Sequence, residues 1–195
     1  MTIHSHDILS SPHHPFISVH GITCQRQADC AVAFGARCLV FDFQPAGLHR
    51  ISVEQAAHIA SANVARLGSF ATDDLAAIRE TMLTARLDFA ILHGPCAPAD
   101  AARVLGAGRI LRAFSGAAVT QEALDSWSAC CAGFRIFAED AAQVRGMDGL
   151  RIPLPWILSP GIRGGSFGSC RPDGMELAAQ ESRLLLREVL AVQSV

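Results

Sequence analysis

The feature that most constrains this chain is a regular alternation between Phe16 and Ala138: six short apolar runs, separated by five longer segments with helical spacing. The runs cover residues 16–20, 38–43, 67–71, 89–93, 110–114 and 134–138. Strands this apolar have no face to give to water, so they must be buried on both sides of a parallel sheet. The intervening segments predict single helices over residues 26–34, 52–64, 74–85, 97–105 and 121–130. Several carry local start signals: Ser52 as N-cap with Glu54 and Gln55 in the first turn, Thr72 or Asp73 as a cap, and Pro98 in a first turn. One helix between successive strands is the crossover that parallel pairing requires. Its repetition points to a closed TIM-type (βα)8 barrel rather than an open doubly wound sheet.

Beyond Ala138 the rhythm breaks. Residues 141–155 carry Gly146, Gly149, Pro153 and Pro155, which leave no room for a full helix. A seventh strand is expected over 156–159 and a short eighth over 166–169, with too few residues between them for the usual crossover helix. A long amphipathic helix is expected over 174–190, with Leu177, Leu184, Leu185 and Val189 on or near one face. One or two outer helices after strands 6 and 7 are therefore shortened or missing. A flank left bare in this way calls for burial against a second copy, and a homodimer is expected. Residues 1–15, rich in His, Ser and Pro, read as a flexible leader, and residues 16–195 as a single barrel domain.

With 195 residues, half of them apolar, the chain can bury one sizeable core. A net charge of −2 gives no electrostatic reason to expect nucleic acid or a membrane as partner. All 16 basic residues are Arg; the absence of Lys excludes Schiff-base chemistry. Seven cysteines, an odd number without zinc spacing, read as reduced thiols serving as small hydrophobes in a cytoplasmic protein. No apolar run has the length of a membrane span, and the leader lacks the order of a signal peptide. His4-x-His6 is similar to the metal motif of barrel hydrolases, but no carboxylate–His set follows it, so neither metal nor cofactor is expected.

Five stretches resemble the phosphoribosylanthranilate isomerase family, in order and on the corresponding elements. They are His20-Gly21-Ile22-Thr23, Phe41-Asp42-Phe43-Gln44-Pro45 with Arg50-Ile51-Ser52-Val53-Glu54-Gln55-Ala56, Leu67-Gly68-Ser69-Phe70, Ile91-Leu92-His93-Gly94 and Ile110-Leu111-Arg112-Ala113-Phe114. The match is good over residues 16–115 and poor beyond.

The resemblance implies a barrel of tryptophan biosynthesis that carries out an Amadori rearrangement of a phosphoribosyl amine. A general acid protonates the ring oxygen, and a general base removes the neighbouring carbon-bound proton. Relatives place a cysteine base before Gly-Ile-Thr, where this chain has His20. They close the sixth strand with an Asp acid, a position that falls on Ala138 here, with Glu139 and Asp140 adjacent. Strand alternation favours Asp140. The relatives' Ser-Pro-Arg loop, whose Arg grips the substrate carboxylate, is Gly47-Leu48-His49 in this chain, with Arg50 one place later. His93 and Arg112 are further substrate-binding candidates. Gly161, Gly164, Gly165 and Ser169 are candidates for a phosphate cradle of backbone N–H groups. Two readings follow: an isomerase with substituted catalytic residues, or an inactive paralogue that binds a small phosphorylated substrate or other anion, or serves as an assembly partner.

Overall fold

The computed structural model describes residues 16–160 and 172–179. Eight parallel strands close in chain order: β1 (Phe16–His20), β2 (Ala36–Asp42), β3 (Ala65–Phe70), β4 (Phe89–Leu92), β5 (Ile110–Ser115), β6 (Gly133–Ala138), β7 (Trp156–Pro160) and β8 (Gly174–Ala178). Between the first seven run α1 (Gln25–Ala33), α2 (Val53–His58), α3 (Leu75–Thr84), α4 (Pro98–Leu105), α5 (Gln121–Ser128) and α6 (Ala141–Gly146). This is the TIM-type barrel, with α6 shortened after strand 6 as the Gly and Pro positions require.

Strand alternation divides the apolar residues into two sets. Phe16, Val40, Leu67, Phe89, Ile91, Leu111 and Ile157 meet inside the barrel. Val19, Leu39, Phe41, Phe70, Leu92, Ile136 and Leu158 face outward and pack on Ala31, Ala56, Ile78, Met82, Ala101, Leu124 and Trp127 of the helices. Most strands are thus apolar on both faces, which is why they read as unbroken runs.

Local signals place the helix starts. Ser52 and Gln55 form a reciprocal capping box at α2. At α3 the cap is Asp74, whose side chain accepts from Ala77 N–H at 3.0 Å, instead of Thr72 or Asp73; Thr72 Oγ1 accepts from Asp74 N–H. Helix α2 stops at His58, well short of residue 64. The Gln25 side chain bonds both Ala60 O (2.9 Å) and Ala60 N–H (2.8 Å), and the Arg66 guanidinium donates to Ala56 O and Ile59 O, each at 2.7 Å. Arg66 also donates to Ala85 O and Arg86 O. One buried cation therefore satisfies the carbonyl ends of α2 and α3, where it complements both helix dipoles.

The largest departure is at the carboxyl-terminal side. Residues 174–178, expected to open a long helix, form β8, which pairs with β1 from Phe16↔Gly174 to His20↔Ala178 and with β7. Barrel closure supplies ladder partners on both edges, and this outweighs a helical spacing of leucines. Gly174 permits the close approach: a Cβ there would lie 2.5 Å from the Phe16 ring. The expected strand over 166–169 and the helix beyond residue 179 lie outside the described residues. Among the described residues, no helix is long and apolar enough to cross a membrane.

Candidate active site

The inward register of the strands turns polar toward their carboxyl ends. There it carries His20, Asp42, Ser69, Arg135, Ser159 and Glu176, with His93 just past β4. Below this layer the interior is closed by Phe16, Leu67, Phe89, Leu111 and Ile157, all buried.

At the centre is an ion pair. Arg135 on β6 donates through Nε to Glu176 Oε2 at 2.8 Å and through Nη2 to Glu176 Oε1; Nη2 also reaches Ser159 Oγ at 3.1 Å. The Glu176 side chain is wholly buried, and that of Arg135 is 13% exposed. Burial alone would push the Glu176 carboxyl up, but the Arg135 charge and its hydrogen bonds more than offset this and hold it below the ordinary value.

His20 ends β1 beside this pair. Burial lowers its pKa, and the charges of Arg135 and His49 add to that against the opposing pull of Glu176 and Asp42. Among the described residues no hydrogen bond engages its ring, and its nearest aromatic neighbour is His49, edge-on at 6.2 Å between centroids. His49 reaches that place over Gly21, where a Cβ would lie 2.9 Å from its ring and where φ is +78°. The Gly of Gly-Ile-Thr is needed on both counts.

His93 is held by a chain of polar groups. Gln44 Nε2 donates to Ser69 Oγ at 2.8 Å, and Ser69 Oγ lies 3.0 Å from His93 Nε2. The Ser69 hydroxyl, with one proton to give and two lone pairs to accept with, links the Gln44 amide to the imidazole. Burial, reinforced by Arg135, brings its pKa down to about 4. The folded value lies below the ordinary 6.5, so on acidification the unfolded chain takes up the proton first. The contribution is complete above pH 6.5 and is lost on the way down to about 4, a change of about 3 kcal/mol. Urea unfolding at pH 7.5 and 5 should show about 2 kcal/mol of this loss in the native chain and a clearly smaller one in His93→Gln. Equal losses in the two chains would refute the assignment.

The other sequence candidates are placed as follows. Arg112 is corrected: it lies on the outward register of β5, donates to Leu92 O and Gly94 O, and stacks over the Trp127 ring at 4.9 Å. It faces the helical layer, away from the barrel mouth. Ala138 likewise packs on the helical side, so the inward register of β6 is odd-numbered, and this reverses the expectation that favoured Asp140. Asp140 instead caps α6, accepting from Gln143 N–H at 2.8 Å. Glu139 follows in the register of Arg135 and Phe137 and is exposed at the mouth. Arg50 is exposed on the loop after β2, with its backbone bridged to Asp42. Gly161, Gly164, Gly165 and Ser169 lie outside the described residues. Among the described residues no three His, Cys, Asp or Glu side chains are grouped to hold a metal ion.

Sequence reasoning missed His49, Ser69, Gln44, Arg135 and Glu176. For His49 a signal was available, since it occupies the slot of the relatives' loop arginine. For Arg135 the available signal was a lone charge inside an otherwise apolar strand, whereas Glu176 stood in a segment read as an amphipathic helix and gave none.

Fold and site together define a closed parallel barrel whose candidate site is built at the carboxyl ends of its strands, the usual location in this architecture. The chain is 33% identical over 179 residues to the N-(5'-phosphoribosyl)anthranilate isomerase of Desulfovibrio desulfuricans, covering 82% of this chain and 83% of that protein. It is 38% identical over 84 residues to the protein of that name from Solibacter usitatus, covering 43% and 42%. It belongs to the phosphoribosylanthranilate isomerase family, isomerases of tryptophan biosynthesis. No protein-family model matches the chain. Among solved structures, phosphoribosyl anthranilate isomerase from Thermus thermophilus superposes with a TM-score of 0.77 at 22% identity, covering 92% of this chain and 98% of that one. A phosphoribosyl anthranilate isomerase in complex with reduced 1-(o-carboxyphenylamino)-1-deoxyribulose 5-phosphate gives 0.72 at 20% identity, covering 93% and 100%.

Proposed function

We propose that this chain is an isomerase of phosphoribosylanthranilate or a closely related phosphoribosyl amine, acting with substituted catalytic residues. The observation that carries the reading is His20. It stands at the position of the relatives' base, faces inward, and is kept neutral by burial with its ring free of hydrogen bonds among the described residues. A neutral imidazole can accept the carbon-bound proton near neutral pH. Glu139 is the better carboxyl candidate for the acid, because the Asp140 side chain is committed to capping α6. Arg50 supplies the cation for the substrate carboxylate. His93 offers its imidazole to the substrate, and Gly161, Gly164 and Gly165 with Ser169 supply the phosphate contacts. No cofactor enters this scheme. A cytoplasmic homodimer fits the unpaired cysteines of the described chain and the relative from Thermotoga maritima described as dimeric.

A second reading rests on β6. Its inward position at the strand end is Phe137, 37% exposed, with no carboxyl group. This favours a paralogue that binds a phosphorylated or other anionic ligand without turnover. Complementation decides between them: expressed at ordinary levels in a tryptophan auxotroph lacking this isomerase, the chain should restore growth. Absence of growth, with thermal stabilisation of the purified protein by a phosphorylated product analogue, would establish the binding protein instead.

A further inference from the structure

We propose that Arg135 is a catalytic residue of the rearrangement, its Nη1 edge donating to the substrate oxygen on the carbon that loses its proton to His20. The inference rests on the isomerase reading above.

Three observations carry it. First, a charge inside a barrel core is costly to keep, and Glu176 accounts for only part of this one. Nε and Nη2 of Arg135 are engaged by Glu176 and Ser159, while Nη1 has no hydrogen-bond partner among the described residues. Second, the 13% of the Arg135 side chain that is exposed opens toward the strand carboxyl ends, because the interior below is filled by Leu67, Phe89, Leu111 and Ile157. Third, Arg135 on β6 shares the inward layer at the strand carboxyl ends with His20 on β1 and His93 past β4, and its charge acts on both imidazoles. Glu176 and Ser159 then serve as positioning residues: they fix the guanidinium plane and leave one edge for the ligand.

The chemistry needs such a donor. Protonation of the ring oxygen breaks its bond to the carbon bearing nitrogen and leaves a protonated imine. His20 takes the proton from the adjacent carbon, and that C–H pair becomes a carbon–carbon double bond as the imine pair returns to nitrogen. The resulting enol oxygen gives up its proton through solvent, which recharges the acid, and becomes a carbonyl. Its double-bond pair takes a proton back from His20 at the nitrogen-bearing carbon. One carbon is oxidised and its neighbour reduced, with no outside reagent. Negative charge grows on the oxygen facing Arg135 in this step, where a preorganised cationic donor acts most strongly.

The test is steady-state kinetics of the full chain with substrate carrying deuterium at the carbon that loses its proton. Arg135→Lys keeps a cation for Glu176 but removes the planar edge. Arg135→Met with Glu176→Leu is a second variant that keeps the interior filled if the first does not fold. A folded variant should lose about 100- to 1,000-fold in kcat with little change in KM, because the lost contact strengthens in the transition state. Its deuterium isotope effect on kcat should fall, because the slowed loss of the enol proton follows cleavage of that C–H bond, a change a merely structural role would not produce. Folded variants with kcat within threefold of an active native chain overturn the role of Arg135 and leave the isomerase reading standing. A native chain without turnover overturns both.

Discussion

Replacing Glu176 by alanine is expected to cost about 3–5 kcal/mol of folding stability, read as a lowered urea midpoint. The loss comes chiefly from what remains: the Arg135 guanidinium, in an interior otherwise lined by apolar side chains, without its counter-charge. Joint replacement, Arg135→Met with Glu176→Leu, should recover most of that loss, because two apolar side chains fill the same space without desolvating charge. A double variant no more stable than Glu176→Ala would show that the pair does more for stability than satisfy itself. The pair also has a pH signature. The carboxyl is held below its ordinary value in the folded chain, so its contribution is complete above the ordinary glutamate range of about 4.3. It is lost as pH falls through the lower folded value, and stability at acid pH should therefore decline less steeply in the double variant.

The second large effect is on turnover. His20→Asn should reduce kcat by about 100- to 10,000-fold, the range for removal of a positioned general base, while thermal stability changes little. The side chain is partly exposed and makes no hydrogen bond among the described residues, so its removal breaks little structure. In the native chain the acid limb of kcat/KM should rise with pH through a value below the ordinary 6.5, because burial favours the neutral, base-competent ring. A variant retaining native kcat, or a profile whose acid limb persists in His20→Asn, would remove His20 from the mechanism.

The parts of this molecule legible in the sequence are those set by neighbours a few residues apart or by alternation along one strand. The capping box of Ser52 and Gln55 and the Pro98 start of α4 are bonds and torsions within one turn, so residue type alone reports them. The six apolar runs announce strands covered on both faces. His20 and His93 sit at the ends of such runs, and their place at the mouth follows from the fold class itself. Arg112 and Asp140 went astray for one shared reason. In a strand buried on both faces an apolar pattern cannot distinguish inside from outside, so the register had to come from the packed barrel.

What tertiary structure alone decided depends on groups distant in the chain. Helix α2 ends at His58 because Gln25 and Arg66 claim its terminal backbone groups, which helical propensity does not encode. Met175-Glu176-Leu177 is compatible with a helix until β1 and β7 offer ladder bonds on both sides. Arg135 read alone is a charge misplaced in an apolar strand, and Glu176, 41 residues away, a polar position on an expected helix. Closure of the barrel brings them together on the inward faces of β6 and β8, on either side of β7. There a buried charge is tolerable only when paired, and the edge of Arg135 left unpaired faces the site.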